Sequence, residues 1–298
     1  MPASQQVRVD DRTLRLTNPD KVLYPAAGFT KAQVIDYYSR VAEWILPHLK
    51  DRPVTLRRFP DGVDGQAFYE KDAPRFTPEW VATAHVPRRA GGKDIRYVVI
   101  NDRATLLWCA NLASLELHTF LHRAGALDTP ASVVFDLDPG EGAALAACAK
   151  VAFLLRDALE KLGLKIFPKV SGSKGLQLYV PLNGKATYAR TQPFAHAVAT
   201  TLAGAHPDLI VSEMTKSLRK SRVFIDWSQN SDFKTTIGVY SLRAKERPYV
   251  SLPVTWDELA ADPDRLFFEP EAALRRLEKL GDLFAAVPEL KQTLPALR

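Results

Sequence analysis

Two aspartates at the end of an apolar strand are the most chemically specific feature of this 298-residue sequence. Asp136 and Asp138 lie in the segment SVVFDLDPG, and residues at positions i and i+2 of a strand point to the same face. Two adjacent carboxylates repel each other unless a cation lies between them, and such pairs commonly hold Mg²⁺ or Mn²⁺ against phosphates. The pair therefore indicates a metal site, with an ordinary solvated turn before Pro-Gly as the alternative.

Asp226 adds a third acid at the end of a second apolar segment, RVFIDW. A carboxylate in such a run must be paired, hydrogen-bonded or metal-bound, because burying it alone is costly. Three carboxylates from adjacent strands would suit two divalent cations about 3.5 to 4 Å apart, an arrangement used for nucleotidyl transfer. The alternative is an ion pair of Asp226 with Lys220 or Arg222 on the same hairpin.

The segment SGSKG, residues 171–175, has the composition of a phosphate-binding loop. It joins two predicted strands and offers an anion its backbone N–H groups, the Ser171 hydroxyl and the Lys174 ammonium. It is not a Walker A loop, because that spacing is absent and a strand follows where a helix should. An ordinary Gly-Ser hairpin loop is the alternative.

Further cations are spaced to contact phosphates. His118 is expected at the C-terminal end of a helix, where its imidazole either donates to a phosphate or serves as a helix cap. Arg243 follows the segment VYSL and would clamp a triphosphate bidentately. Lys216 and Arg219 belong to the acid-free run TKSLRKSR, which suits a nucleic-acid backbone or, alternatively, a solvated loop.

Phe68 and Tyr69, in QAFYEK, interleave aromatic rings with the neighbouring cations Arg57, Arg58 and Lys71. Such interleaving is typical of surfaces on which nucleic-acid bases stack. Because successive strand residues point to opposite faces, only one of the two rings is expected to be exposed.

The elements that must position these residues follow from the hydrophobic spacing. The predicted helices cover residues 30–50, 102–118, 142–162, 193–203 and 272–283. Thr30 and Asp102 are the expected N-caps of the first two helices. In the second half, SVVFDLDPG, the hairpin around SGSKG and the short strands LIVSEM, RVFIDWS and TIGVYSL alternate with helices. The resulting order, β-α-β-β-α-β, is typical of an RRM-like or ferredoxin-like sheet.

The composition is that of an ordinary soluble protein, with 46% hydrophobic residues, 40 basic and 34 acidic residues and a net charge of +6. These values exclude disordered, collagen-like and membrane classes. Two cysteines are too few for a disulfide framework or a Cys-rich zinc site, which favours a reducing cytoplasm. The basic balance is a weak sign of a polyanionic partner. The N-terminal segment contains no apolar run, so we expect neither export nor membrane association.

Several separated segments agree in order and spacing with one known family. They are LTNPDKVLYP, RPVTLRRFPDGVDGQAFYEK, VVFDLDPGEG, SGSKGLQLY, MTKSLRKSRVFIDWSQN and YSLRA. On these segments the chain resembles the polymerase domain of bacterial ATP-dependent DNA ligase D, a branch of the archaeo-eukaryotic primase superfamily.

The resemblance implies an α+β primase-polymerase fold, in which an RRM-like β-α-β-β-α-β catalytic sheet packs with an N-terminal α/β lobe. We expect one primase-polymerase domain over residues 1–298. Its sub-lobes would cover approximately residues 1–128 and 129–298, the second ending in a helical tail.

The resemblance also implies an enzyme, a template-dependent nucleotidyltransferase. It would add nucleotides to DNA 3′ ends and fill gaps during non-homologous end joining, using two Mn²⁺ or Mg²⁺ ions and NTP or dNTP substrates, often with a preference for ribonucleotides. The implied partners are gapped or overhanging DNA ends with a 5′-phosphate, together with Ku and a ligase domain. The expected location is the cytoplasm, in association with the nucleoid.

Residue roles carry over by position in the matching segments. The implied metal ligands are Asp136, Asp138 and Asp226. The implied triphosphate contacts are His118, Ser171, Lys174, Gln229 and Arg243. The implied 5′-phosphate contacts are Asn18, Lys21 and Lys31. The implied contacts to template and primer strands are Phe68, Tyr69, Lys216 and Arg219.

Two departures limit the resemblance. Gln177 stands where many relatives in the wider superfamily have His, and because an amide cannot titrate, Gln177 is left out of the catalytic set. The sequence has no K-x-D-G adenylation motif and no His-rich phosphoesterase segment, so it is expected not to seal nicks by itself. It would be either an excised ligase domain or a stand-alone relative. Two other functions use the same residues: a non-catalytic module that binds 5′-phosphate ends and recruits a ligase, and a two-metal nuclease.

Overall fold

The chain divides into two units, each assembled from three separate segments. The first unit comprises Met1–Phe120, Thr235–Ser251 and Phe268–Gly281, and the second comprises Leu121–Lys234, Leu252–Phe267 and Asp282–Arg298. The structure, a computed structural model, describes residues 4–296. Helices make up 31% and strands 27%, which confirms the expected mixture of the two. No helix within residues 4–296 is long and apolar enough to cross a membrane.

Strands and helices alternate irregularly along the chain. The strands are β1 (Ser4–Val9), β2 (Arg12–Thr17), β3 (Val22–Tyr24), β4 (Phe29–Thr30), β5 (Pro53–Arg58), β6 (Phe68–Glu70), β7 (Thr83–Val86), β8 (Ile95–Val99), β9 (Ser114–Phe120), β10 (His122–Arg123), β11 (Ala126–Pro130), β12 (Ser132–Pro139), β13 (Phe167–Val170), β14 (Leu176–Pro181), β15 (Ile210–Val211), β16 (Val223–Asp226), β17 (Thr235–Ile237) and β18 (Leu252–Pro253). The helices are α1 (Lys31–Arg40), α2 (Ala42–Leu49), α3 (Arg103–Asn111), α4 (Leu145–Glu160), α5 (Tyr188–Ala205), α6 (Trp256–Ala261) and α7 (Pro270–Leu280).

The sheet of the first unit has the strand order β17-β9-β5-β8-β7, and β6 also pairs with β5. Thr30 caps α1 with a complete capping box, in which its hydroxyl accepts from the Gln33 N–H and the Gln33 side chain accepts from the Thr30 N–H. The predicted helix over residues 30–50 is interrupted at Val41, which separates α1 from α2. The N-cap prediction is therefore confirmed, whereas the single long helix is wrong.

The helix predicted to run from Asp102 to His118 is too long. Asp102 does cap α3, accepting from the Thr105 N–H at 2.7 Å, but α3 ends at Asn111. Ala113 has φ +57°, a left-handed conformation that cannot continue a right-handed helix. Ser114–Phe120 is strand β9 instead, so His118 lies within a strand and not at a helix end. The segment SLELHTF fits a period of two as well as a helical period, and pairing with β5 and β17 selects the strand.

The second unit contains the predicted order β-α-β-β-α-β as β12-α4-β13-β14-α5-β16, with the short β15 before β16. Its sheet has the strand order β15-β16-β12-β14-β13-β18. Leu137, the residue between the two aspartates, is fully buried and points into the core. TIGVYSL, expected among the strands of this half, instead supplies β17 to the sheet of the first unit.

Candidate functional site

Four polar residues form a row across the sheet of the second unit. Asp136 on β12 pairs with Asp226 on β16 and with Gln177 on β14, which in turn pairs with Lys169 on β13. Cross-strand partners share one face of a sheet, so the four side chains follow each other in one line. Asp138, two residues after Asp136, points to the same face. We call Asp226, Asp136, Gln177 and Lys169 the polar row.

The Asp136 carboxylate lies in an environment that disfavours its charge. Burial and then the neighbouring charge of Asp138 raise the pKa of Asp136 to about 7, and Asp226 acts in the same direction. Gln177, whose Nε2 donates to Asp136 Oδ2 at 3.0 Å, and Lys169 partly oppose this rise. A divalent cation would relieve the repulsion among the carboxylates.

Asp226 is held by the turn that follows it. Its Oδ1 accepts from the Ser228 N–H at 2.9 Å and from the Ser228 hydroxyl at 2.5 Å. Its Oδ2 accepts from Gln229 Nε2 at 3.1 Å. The Lys234 ammonium donates to the Ser228 hydroxyl. Arg222, an alternative partner on the hairpin, instead donates to the Pro207 carbonyl.

The donor chemistry of the acids fits a hard divalent cation, because carboxylate oxygens are the ligands that Mg²⁺ and Mn²⁺ prefer. Within residues 4–296, however, no group of three or more His, Cys, Asp or Glu side chains is arranged so that it could hold a metal ion. The second unit thus brings Asp136, Asp138 and Asp226 to neighbouring strand positions without assembling them as three ligands of one ion.

The loop at residues 171–175 lies against the strand end that carries the acids. The Ser171 hydroxyl accepts from the N–H groups of Ser173 at 3.3 Å and Gly175 at 3.2 Å. A Cβ on Gly175 would lie 2.3 Å from the Leu137 carbonyl oxygen, so only glycine allows this approach. Lys174 is exposed at the tip of the loop. The structure therefore brings Ser171 and Lys174 to the same strand end as Asp138.

The basic segment after β15 is also fixed against this strand end. Arg219 donates from Nη2 to the Met214 carbonyl at 2.7 Å, and its guanidinium lies 3.7 Å from the centre of the Phe224 ring. Its own carbonyl oxygen would lie 1.7 Å from a Cβ on Gly140, two residues after Asp138. Lys216 is exposed.

In the first unit, one buried carboxylate collects four donors. Glu116 Oε2 accepts from Arg57 Nη1 at 3.1 Å and lies 2.8 Å from His118 Nε2, while Oε1 accepts from Arg243 Nε at 3.1 Å and from the Ala244 N–H at 3.0 Å. We call these five residues the Glu116 cluster. It brings together two of the predicted triphosphate contacts, His118 and Arg243.

The charges in the Glu116 cluster are mutually stabilised. Burial alone would raise the pKa of Glu116, but the hydrogen bond with His118 and the charge of Arg243 hold that pKa well below its usual range. Burial lowers the pKa of His118, and the charges of Arg243 and Arg57 add to that effect against the opposing influence of Glu116. At neutral pH the cluster therefore contains an ionised Glu116, a neutral His118 and two guanidinium cations.

The predicted 5′-phosphate residues lie together in the first unit. The Lys21 N–H donates to the Asn18 carbonyl at 3.2 Å, and the Lys31 N–H donates to the Lys21 carbonyl at 2.8 Å. Lys21 Nζ pairs with Asp61 at 2.8 Å, and Lys31 Nζ donates to the carbonyl and hydroxyl oxygens of Thr17 at 2.5 and 3.1 Å. Burial, followed by the charges of Lys21 and Arg58, lowers the pKa of Lys31 to about 8.

Both aromatic residues of β6 are exposed, Phe68 at 46% and Tyr69 at 61%. The expectation that one ring would be buried is wrong, because β6 is a three-residue strand that pairs with β5, and within residues 4–296 no core covers either ring. The Arg57 guanidinium lies 5.1 Å from the centre of the Tyr69 ring.

Sequence reasoning missed Glu116 and Lys169 and set Gln177 aside. The helix predicted over β9 does not single out Glu116, although the sequence shows its alternation with Leu115 and Leu117. Lys169 is fully buried within the strand segment FPKV. Because lysine is almost never fully buried unless it is paired, a lysine in an apolar strand segment is a signal of a functional or structural role. The pairing of Gln177 with Asp136 depends on strand register, which a single sequence does not specify.

Comparison with known proteins defines the class of the chain as a primase-polymerase domain. The family model described as "LigD, primase-polymerase domain" matches residues 30–284. The chain belongs to the LigD primase-polymerase domain family.

Three similar proteins illustrate the extent of the match. The chain is 44% identical over 274 residues to the Multifunctional non-homologous end joining protein LigD of Mycolicibacterium smegmatis, covering 91% of this chain and 36% of that protein. It is 32% identical over 269 residues to the Bifunctional non-homologous end joining protein LigD of Bacillus subtilis, covering 90% and 43%. The solved "Polymerase Domain from Mycobacterium tuberculosis Ligase D in complex with DNA" superposes with a TM-score of 0.88 at 43% identity, covering 94% of this chain and 99% of that one. The chain thus spans well under half the length of these two full-length relatives.

Proposed function

We propose that this chain is a template-dependent nucleotidyltransferase that extends DNA 3′ ends and fills gaps during non-homologous end joining. The observation that carries the proposal is the polar row, in which Asp136 and Asp226 face each other across paired strands. The phosphate-type loop touches the same strand end at Gly175. Acids and loop together suit a reaction on phosphates better than either does alone.

In this reaction the primer 3′-oxygen attacks the α-phosphorus of the incoming nucleotide, and the bond to the departing pyrophosphate breaks. Asp136, Asp138 and Asp226 would hold two Mn²⁺ or Mg²⁺ ions, which supply charge neutralisation and a more acidic 3′-hydroxyl when bound. Gln177 orients Asp136 by its hydrogen bond. Ser228 and Gln229 orient Asp226 in the same way.

The remaining residues bind the charged substrates. Ser171 and Lys174 present an N–H-rich loop and an ammonium to the triphosphate, and His118 and Arg243 present an imidazole and a guanidinium. Gln229, which now donates to Asp226, would also contact the nucleotide.

DNA is the proposed polymeric substrate. Asn18, Lys21 and Lys31 would receive the 5′-phosphate on the downstream side of a gap, and Phe68 and Tyr69 would stack against template bases. Lys216 and Arg219 would contact the primer strand. The similar solved domain is described in complex with DNA, which supports this assignment. Ku and a ligase domain, named from the family, complete the proposed set of partners, and the nucleoid is the proposed location.

Primer extension on gapped DNA tests the proposal. The substrate carries a 5′-phosphate at the gap, and reactions contain Mn²⁺ with NTPs or dNTPs. We expect Asp136→Ala and Asp226→Ala to abolish incorporation, whereas Asp157→Ala, on the exposed face of α4, retains it. Full incorporation by either active-site variant would refute the metal assignment.

The same assay distinguishes the alternatives. End binding that needs the 5′-phosphate, without incorporation under either metal, would favour a non-catalytic recruiting module. Metal-dependent shortening of the primer that survives Arg243→Ala would favour a nuclease.

A further inference from the structure

The Glu116 cluster combines a fully buried acid with partners that reach the surface. Glu116 has 0% side-chain exposure, whereas the His118 and Arg243 side chains keep 16% and 15% exposure. Glu116 is therefore shielded from any substrate, while two of the groups that it holds are accessible. Glu116 can therefore act only through its partners, whereas His118 and Arg243 can contact a substrate directly.

The donors converge on Glu116 from separate parts of the chain. Arg57 comes from β5 and His118 from β9, while Arg243 and the Ala244 N–H follow β17 more than 120 residues later. Both carboxylate oxygens are used, each by two donors. A carboxylate with this set of partners fixes the direction of the imidazole and of both guanidinium groups at the same time.

The cluster also has the charge of an anion site. Two guanidinium groups against one carboxylate leave a net positive charge, and His118 stays neutral at neutral pH because burial lowers its pKa. A polyphosphate is the class of anion that matches a fixed fork of guanidinium N–H groups beside an imidazole.

We propose that Glu116 is a positioning residue for the incoming nucleotide, which holds His118 and Arg243 in the orientation that receives the triphosphate. This inference rests on the proposed nucleotidyltransferase function. It adds to that function a residue that does not touch the substrate but determines how strongly the phosphates are bound.

Positioning and simple electrostatics predict opposite changes in triphosphate affinity when Glu116 loses its charge. Replacing Glu116 by glutamine removes a negative charge next to an anion site, and charge alone would make triphosphate binding tighter. Positioning predicts weaker binding, because one amide oxygen cannot accept from four donors and the amide NH₂ meets other donors. Glu116→Asp keeps the charge but shortens the side chain, so its binding should lie between those of the parent and of Glu116→Gln.

The test measures binding of a non-incorporable α,β-imido nucleoside triphosphate with Mn²⁺, and of inorganic tripolyphosphate, to the full chain by calorimetry. We expect Glu116→Gln to weaken both by at least tenfold, and to raise KM for nucleotide more than it lowers kcat. Affinity for the 5′-phosphorylated DNA end should change less than twofold. Glu271→Gln, which removes a carboxylate paired with Arg40 on the exterior of the same unit, should change none of these values.

Each outcome has a defined meaning. Unchanged or tighter triphosphate binding by Glu116→Gln overturns the proposal. Equal losses in Glu116→Gln and Glu116→Asp, accompanied by loss of DNA-end binding and a lower melting temperature, also overturn it in favour of a purely structural role. If the parent protein itself neither binds nor incorporates a nucleoside triphosphate, the proposed function fails, and that failure appears before any variant is compared.

Discussion

The buried ammonium of Lys31 should make recognition of a 5′-phosphate depend on pH near physiological values. Lys31 is 5% exposed and its pKa lies at about 8, lowered first by burial and then by Lys21 and Arg58. Two oxygens of Thr17 accept from the Lys31 Nζ, and because an ammonium has three N–H donors, one donor stays available for an anion among the residues that the structure describes. An exposed lysine would keep its charge to about pH 10.

The size of the effect follows from the titration of this one group. If only the protonated ammonium binds phosphate, about nine-tenths of the protein is competent at pH 7 and about one-tenth at pH 9, with a pKa of about 8. Phosphate-dependent affinity should therefore fall by roughly tenfold between these pH values. Bound phosphate favours the charged form, so binding near pH 8 should also be accompanied by proton uptake.

The assay is fluorescence anisotropy with two gapped DNAs that differ only in a 5′-phosphate or 5′-hydroxyl at the gap. The ratio of their affinities isolates the phosphate contribution. In the parent protein this ratio should fall from pH 7 to pH 9, and in Lys31→Arg it should stay level, because a guanidinium does not titrate in this range. A ratio that is independent of pH in the parent, or that falls equally in Lys31→Arg, would show that titration of Lys31 does not control phosphate binding.

Three further predictions concern the other parts of the two units. Asp61→Asn removes the partner that lies 2.8 Å from Lys21 Nζ, and because exposed pairs contribute up to about 1 kcal/mol, 5′-phosphate DNA should bind up to about fivefold more tightly in a filter-binding assay at low salt. Asp136→Asn should stabilise the protein in EDTA. Because folding raises the pKa of Asp136 from 3.8 to about 7, its carboxyl leaves the free energy of unfolding unaffected below about pH 4. As the pH rises to 7, the carboxyl lowers that free energy by at most about 4 kcal/mol. Thermal melting should therefore show a gain for the variant that is several times larger at pH 8 than at pH 4.5, where only about 1 kcal/mol of the penalty has developed, and a gain of equal size at both pH values would contradict the assignment. Gly175→Ala, which places a Cβ 2.3 Å from a carbonyl oxygen of β12, should lower the melting temperature and primer extension together, whereas Gly184→Ala, whose Cβ meets no atom closer than 3.5 Å, should lower neither.

Local signals in the sequence predicted the parts of the fold that depend on neighbouring residues. The caps at Thr30 and Asp102 are confirmed, because each needs only its own side chain and an N–H three residues later. The shared direction of Asp136 and Asp138 follows from the period of a strand in the same way. The roles of these residues in binding metals and phosphates stay predictions.

The misplaced features depend on pairing between distant segments. SLELHTF satisfies both a helical and a strand period, and its pairing with β5 and with β17, more than a hundred residues later, makes it a strand. The two exposed rings of β6 have the same cause, since alternation buries one face only where a second layer covers it. The spacing of residues along one strand does not show whether a second layer packs on that strand.

The polar side chains that hold the proposed reactive groups share this dependence on register. Gln177 reaches Asp136 because β14 pairs with β12 at that position, and a slip of one residue would present Leu176 or Leu178 instead. Glu116 likewise reaches Arg57 because the two residues are paired on β9 and β5. The groups expected to touch substrate were visible as motifs, because reaction chemistry restricts their types. Their supporting residues need only a hydrogen bond in the right place, and an amide at position 177 can supply it without titrating. Glutamine at position 177, in place of the histidine of many relatives, is therefore compatible with a positioning role.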